Sequence, residues 1–242
     1  MSSPKPVTLI TGASAGIGAA LADAFAGHSH ALVLIARRAP QLKALANAIA
    51  ERGHARPRVI AIDLAQADAA ERIEIELREA GCEPQFVVNN AGFGLLGDAA
   101  HLDRAEQLAM IDLNVRVLTD LSLRFVDSLA RHRGGILNVA SVASFMPGPG
   151  MAVYHATKAY VLSFSEALHH ELKPLGVRVT ALCPGPVETE FQARAGIPGD
   201  YFPRFLARSP ERVAREGYDG LMRGRRVVVP GSDNWVAALP FL

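Results

Sequence analysis

Thr11-Gly12-Ala13-Ser14-Ala15-Gly16-Ile17-Gly18 follows directly on the apolar, β-branched run Val7–Thr11 and opens into an alanine-rich stretch with helical spacing, Gly16–Ala26. A strand that turns on glycine into a helix is a place where backbone can approach an anion. The glycines allow the tight turn, and the free amides of the first helical turn point at whatever sits there. The spacing here is GxxxGxG and not the GxGxxG of the usual dinucleotide fingerprint. Taken alone, the turn also fits a glycine-rich strand-to-helix connection that binds nothing, so its meaning depends on what surrounds it.

Downstream, short apolar runs alternate with longer helical ones. The strand candidates after Val7–Thr11 are Ala31–Ala36, Arg58–Ile62, Phe86–Asn89, Gly135–Ala140, Val177–Leu182 and Arg226–Val229. Between them, Gln41–Arg52 places Leu42, Leu45, Ala46 and Ile49 on one face, and Ala67–Ala80 places Ile73 and Leu77 on one face. Two long helices are predicted around Arg104–His132 and Tyr154–Leu172. This alternation predicts βαβ units and a parallel sheet. A run apolar throughout, such as Ala31–Ala36, fits a sheet covered on both sides. The expected fold is α/β: a single doubly wound, Rossmann-type domain over residues 1–242, with a parallel seven-stranded sheet and helices on both faces. An eight-fold barrel would need one more strand–helix unit. Met146–Gly150 and Gly196–Pro203, dense in glycine and proline, read as loops near the open end of the sheet.

Composition removes several function classes. Half of the 242 residues are hydrophobic, a fifth are charged, and the formal net charge is +1. That is enough apolar side chain for a real core, and it gives no bulk electrostatic reason to bind nucleic acid. The two cysteines, Cys82 and Cys183, sit in no metal or redox spacing. No histidine falls into a metal pattern either, so no metal is expected. No run approaches the ~20 apolar residues of a spanning helix, and Val7–Ile10 is too short for a signal-peptide core. These features predict a soluble, cytoplasmic protein with no membrane span.

Further landmarks follow in order: Asn89-Asn90-Ala91-Gly92, then Asn114, Ser141, Tyr154-x-x-x-Lys158, and Pro184-Gly185 with Thr189. Together with Gly12, Gly16 and Gly18, and at these separations, the set resembles the short-chain dehydrogenase/reductase superfamily from Thr8 to at least Thr189. The resemblance implies a nicotinamide cofactor held by Gly12, Ser14, Gly16, Ile17 and Gly18 at the turn, and by Asn90, Ala91 and Gly92 after the fourth strand. It also implies that Pro184, Gly185, Val187 and Thr189 flank the nicotinamide. The Asp63 carboxylate would accept from the adenine amino group, with the neighbouring Leu64 amide also close; as bare sequence Asp63 equally fits a helix N-cap.

The second strand ends Ala36-Arg37-Arg38. An acidic side chain at this place binds the ribose diol of NAD, and a basic one accommodates the phosphate of NADP. With Ala36 in the acidic position and the guanidinium of Arg37 able to pair bidentately, NADP(H) is the expected cofactor and NAD(H) a possible one; Arg38 can assist. The glycine turn lacks the basic residue that many NADP-using relatives carry, having Ala15 there, with Ser14 as a weaker contact.

Tyr154 and Lys158 are four residues apart in a helical segment and so share a face. A free tyrosine ionises near pH 10 and is a poor base at neutrality. A neighbouring ammonium favours the phenolate, which makes Tyr154 a usable general acid or base. By resemblance Lys158 also holds the nicotinamide ribose. Ser141 ends the fifth strand, where a hydroxyl can donate to a substrate oxygen; a turn or cap serine is the plainer reading. Asn114 lies inside a predicted long helix, an unfavourable place for asparagine. The resemblance gives it a water that relays protons to Lys158.

The loops expected around the site, Phe93-Gly94-Leu95-Leu96 and Val142–Met151, are mostly apolar. That predicts a small, hydrophobic carbonyl or alcohol as substrate. Residues 190–210, with Phe191, Arg194, Asp200, Tyr201, Phe202 and Arg204, form a candidate substrate lid. The two long helices resemble those through which family members pair, and an apolar tail, Trp235–Leu242, needs cover; both predict a homodimer or homotetramer. Two other functions compete: a non-catalytic dinucleotide-binding sensor or scaffold, which has no use for the full Ser141, Asn114, Tyr154 and Lys158 set, and an epimerase or dehydratase relative, which usually carries a TGxxGxxG turn and a larger C-terminal domain.

Overall fold

Leu32–Ala36 (β2) is buried along its whole length, and its side chains alternate between two cores. Leu32, Leu34 and Ala36 join one, Val33 and Ile35 the other. A strand apolar at every position is what a sheet covered on both faces demands. The computed structural model describes residues 4–199, 201–202 and 207–231. Asp200 and Arg204 of the expected lid, and the tail Trp235–Leu242, lie outside the described residues.

The remaining strands are β1 (Lys5–Thr11), β3 (Arg58–Ala61), β4 (Cys82–Asn89), β5 (Gly135–Val139), β6 (Arg178–Leu182) and β7 (Val227–Val228). Their order in the sheet is β3-β2-β1-β4-β5-β6-β7, all parallel. The described helices are α1 (Gly16–Gly27), α2 (Ala39–Glu51), α3 (Ala69–Glu79), α4 (Arg104–Ile111), α5 (Val117–Arg124), α6 (Val126–Arg131), α7 (Ala152–Leu172), α8 (Phe191–Ala195) and α9 (Pro210–Met222). Leu21 and Phe25 of α1, Leu42 of α2 and Leu221 of α9 pack on one face. Ile73 of α3, Leu121 of α5, Leu129 of α6 and Leu168 of α7 pack on the other. This is the doubly wound α/β domain expected, and an open sheet excludes the barrel.

The long helix predicted over Arg104–His132 is broken. Asp103 caps α4 by accepting from the Glu106 amide at 2.8 Å, the chain then winds through a π-helical turn at Asp112–Arg116, and α5 and α6 are separated at Phe125. Asp63 does not cap α3, whose N-cap is Asp68. Its carboxylate instead accepts from the Ala65 amide at 3.1 Å and holds the turn after β3. Among the described residues, no helix is long and apolar enough to cross a membrane, and no group of three or more His, Cys, Asp or Glu is arranged to hold a metal ion.

Candidate active site

The strand order reverses between β1 and β4, and in open α/β sheets the crevice beyond the strand C-termini at such a point is where ligands sit. A cavity of about 800 Å3 occupies that place, walled by the residues that follow β1 through β6. Every candidate site residue except Gly18 and Asn114 lies on its wall. Those two stand directly behind it. A Cβ on Gly18 would fall 2.3 Å from the Gly12 carbonyl oxygen, so this position carries helix-to-turn packing and no side chain fits.

Gly12 adopts φ +66, a left-handed backbone that L side chains rarely take. The turn is tied to β4 by Asn90, whose Nδ2 donates to the carbonyls of Thr11 and Gly12 at 3.0 and 3.2 Å. Thr11 Oγ1 completes the knot, accepting from the amides of Asn90 and Ala91 at 3.0 and 3.1 Å. Ala15, the α1 N-cap, offers no side-chain cap. The amides of the first helical turn, which have no intrahelical acceptor, therefore stand at the cavity wall beside Gly16 and Ile17.

At the end of β2 the two arginines differ. Arg37 is exposed on the wall and has no hydrogen-bond or ion-pair partner among the described residues. Arg38 donates to Ser14 Oγ through Nη2 and Nε at 3.1 and 3.3 Å and pairs with Glu190 at 2.8 Å.

The opposite end of the cavity is apolar and holds Tyr154 and Lys158, both buried on α7. Lys158 Nζ lies 5.9 Å from the centre of the Tyr154 ring and donates to the Val139 carbonyl at 2.7 Å. Ser141 follows β5 by two residues; its Oγ accepts from the Ala143 amide at 3.1 Å, and its side chain acts to lower the pKa of the Tyr154 phenol. Ser141 caps the turn at Val142–Phe145, as its plainer reading has it, and stands on the same cavity wall as Tyr154. Burial pushes the Tyr154 phenol up to about 12, with the Ser141 hydrogen bond acting against it. Burial also pulls Lys158 down to about 8, with Cys183 opposing. In the protein alone, desolvation is the largest effect on the phenol. Cys183 is fully buried and its thiol is pushed up to about 12 by that burial, so it is inert.

Asn114 sits in the π turn, almost completely buried. Its Oδ1 accepts from the Phe93 amide at 3.1 Å, while its Nδ2 donates to the Phe93 carbonyl at 2.9 Å and to Thr157 Oγ1 at 3.1 Å. It therefore clamps the segment after β4 to the second turn of α7. Asn89 ties β4 to β5, donating to Asn138 Oδ1 on β5 and to Ser122 Oγ, each at 2.9 Å.

Several site residues were not singled out from the sequence. Thr11, Asn138, Thr157 and Ser144, whose hydroxyl donates to the Lys158 carbonyl at 2.7 Å, act through partners distant in sequence. Gln192 stands on the cavity wall with its Nε2 on the Val187 carbonyl at 2.6 Å and its buried Oε1 without a partner among the described residues. Nothing local in the sequence marks it. From the expected lid, α8 seats Phe191 over the site, its ring centre 5.4 Å from that of Tyr154.

A glycine turn and a buried tyrosine–lysine–serine group at the switch point of a parallel sheet define the class of doubly wound α/β oxidoreductases. The short chain dehydrogenase family model matches residues 6–197, and the chain belongs to that family. A sulfoacetaldehyde reductase of Chromohalobacter salexigens is 39% identical over 185 residues, covering 75% of this chain and 72% of that one. A serine 3-dehydrogenase of Agrobacterium fabrum is 35% identical over 184 residues, covering 76% and 72%. Among solved structures, a short-chain dehydrogenase from Sphingobium yanoikuyae in complex with NADPH matches with a TM-score of 0.85 at 35% identity, over 98% of this chain and 92% of that one.

Proposed function

We propose that this oxidoreductase uses NADP(H) to interconvert a carbonyl and an alcohol on a small, mainly apolar substrate, with Tyr154 as the general acid/base. The observation that carries this reading is the buried Tyr154 sharing one cavity wall with Ser141 and Lys158. The cavity fits the cofactor: its volume of about 800 Å3 lies in the range of small-molecule sites, uncapped α1 amides stand where a pyrophosphate would need donors, and a Cβ on Gly185 would meet nothing within 4 Å. The relative bound to NADPH supports the same choice. Gly12, Ser14, Gly16 and Ile17 would hold the diphosphate, Arg37 the 2′-phosphate, Asp63 and Leu64 the adenine side, and Asn90, Ala91 and Gly92 the adenosine ribose. Pro184, Gly185, Val187 and Thr189 would orient the nicotinamide.

The cofactor, when bound, supplies or accepts the hydride, and in its oxidised form brings a positive ring that favours the phenolate. In reduction Tyr154 gives its proton to the carbonyl oxygen; in oxidation it takes the alcohol proton. Ser141 donates to that same oxygen as charge develops on it. Lys158 adds positive charge beside the phenol, and Asn114 stands behind Gly92 as the group through which a water would connect Lys158 to solvent. Phe93, Met146, Met151, Phe191 and Ile197 leave mainly apolar surface for substrate. Arg194 is held aside, stacked 4.7 Å over Phe93 and paired with Glu106 at 3.3 Å. The segment 190–210 is assigned as the substrate lid.

Consumption of NADPH and of NADH against a panel of aldehydes and ketones tests the activity. Tyr154→Phe keeps the ring and removes the proton, so turnover should fall about a hundredfold or more while cofactor binding persists. Retention of more than about a tenth of wild-type turnover would remove Tyr154 from the acid/base role.

A further inference from the structure

Arg38 ties three segments together across the mouth of the cavity. Its Nη2 meets Ser14 Oγ in the glycine turn at 3.1 Å and Glu190 Oε2, after β6, at 2.8 Å. All three residues line the cavity. Arg37, one residue away on the same wall, has no such commitment among the described residues. Two adjacent guanidiniums therefore present unequal positive charge to an incoming anion: one is free, and the other already carries a carboxylate. A phosphate reaching for Arg38 competes with Glu190 for the same nitrogen and meets its negative charge at close range.

We propose that Glu190 is a specificity-determining residue, an internal counter-anion that withholds Arg38 from the 2′-phosphate of NADP(H) and lowers affinity for that cofactor without affecting NAD(H). The proposal rests on the NADP(H) reading above. It explains why paired arginines at the end of β2 need not give doubled affinity: Arg37 supplies the standing attraction, and Arg38 contributes only once Glu190 is displaced to solvent. Both partners of the pair are well exposed, Arg38 at 41% and Glu190 at 67%. A pair of that kind contributes little to stability, so replacing Glu190 leaves the fold intact. Glu190 is also the N-cap residue of α8, one position before Phe191.

The experiment is a titration of wild type, Glu190→Gln, Arg38→Ala and the double variant with NADPH, NADH and 2′,5′-ADP, followed by calorimetry. Glu190→Gln should tighten NADPH and 2′,5′-ADP about two- to fivefold, the range set by pairs this exposed. NADH should be unchanged, and the gain should vanish in the Arg38→Ala background. Equal tightening of NADH, weakening of both cofactors, or a gain that survives loss of Arg38 would each overturn the counter-anion role. So would an unchanged Kd for NADPH in a protein that still prefers NADPH over NADH. A wild type indifferent to the 2′-phosphate would overturn the cofactor reading itself, and this proposal with it.

Discussion

Among the described residues Lys158 is buried with a single side-chain hydrogen bond, to the Val139 carbonyl, so its charge is held at a cost. Its pKa falls from 10.5 to about 8 because of that burial. Between those values the unfolded chain binds the proton and the folded one releases it, so this group makes stability rise with pH from about 8 to about 10.5. The full penalty, ~3 kcal/mol at about 1.4 kcal/mol per pKa unit, applies below pH 8. Lys158→Met should therefore raise Tm at pH 7, and its advantage over wild type should shrink toward pH 10. A difference in Tm that does not change with pH would mean that Lys158 carries no desolvation penalty. The second residue-scale prediction concerns Arg37. A charge-assisted hydrogen bond to phosphate contributes roughly 1.5–3 kcal/mol, or about ten- to a hundredfold in Kd. Ala36→Asp with Arg37→Ala should weaken NADPH by that order and improve NADH, because the new carboxylate accepts from the free ribose hydroxyls. Unchanged titrations with both cofactors would show that Arg37 only faces solvent. Tyr154, Lys158 and Ser141 were legible because helical spacing and a strand end fix where side chains point. Glu190 and Gln192 were not, since their meaning comes from Arg38 and Val187, which only the tertiary fold brings to them.

At the scale of elements, α8 is placed by a glycine. A Cβ on Gly94 would fall 2.8 Å from Phe191 Cζ, and 3.2 Å from both Met151 Cε and Tyr154 Cδ2. Gly94→Ala must push Phe191 away, and with it the helix that covers the phenol. Overpacking of this kind costs about 1–3 kcal/mol. Thermal unfolding should register that cost, while substrate KM rises and cofactor Kd stays near wild type. If kcat/KM and Tm were both unchanged, α8 would not be seated against Gly94 in solution. The π turn at Asp112–Arg116 and the break at Phe125 explain why one predicted helix became three. Hydrophobic periodicity reports which side of a helix is apolar, and it is blind to a single turn with i→i+5 bonding. The misfit of asparagine in a helix interior was the local signal. Asn114 is there because the wider turn carries its amide inward to Phe93 and Thr157.

For the whole molecule, strand number, parallel pairing and two-faced cover were legible from apolar runs and their alternation with helices. The pairing of β1 with β4 was not, because it is recorded in tertiary hydrogen bonds such as those between Thr11 and Asn90. Leu108 and Ile111 on α4, Leu123 on α5 and Tyr160 on α7 are all at least 40% exposed, an apolar display that favours contact with a second copy. We expect light scattering at micromolar concentration to report a dimer or tetramer, and Leu108→Glu with Tyr160→Glu to shift it toward monomer. A wild type that is monomeric throughout would refute this. The sheet order also sets a schedule for the growing chain. β1 is the innermost of the early strands, yet the edge it offers to β4 has no partner until Asn89 and its neighbours have been made. A βαβαβ fragment ending after β3 would expose that apolar edge, a template for pairing with other chains. Loop closure across such a span is slow. The segment from α3 to β4 is therefore the stretch over which synthesis outruns protection, and it is where a nascent chain would most need a chaperone.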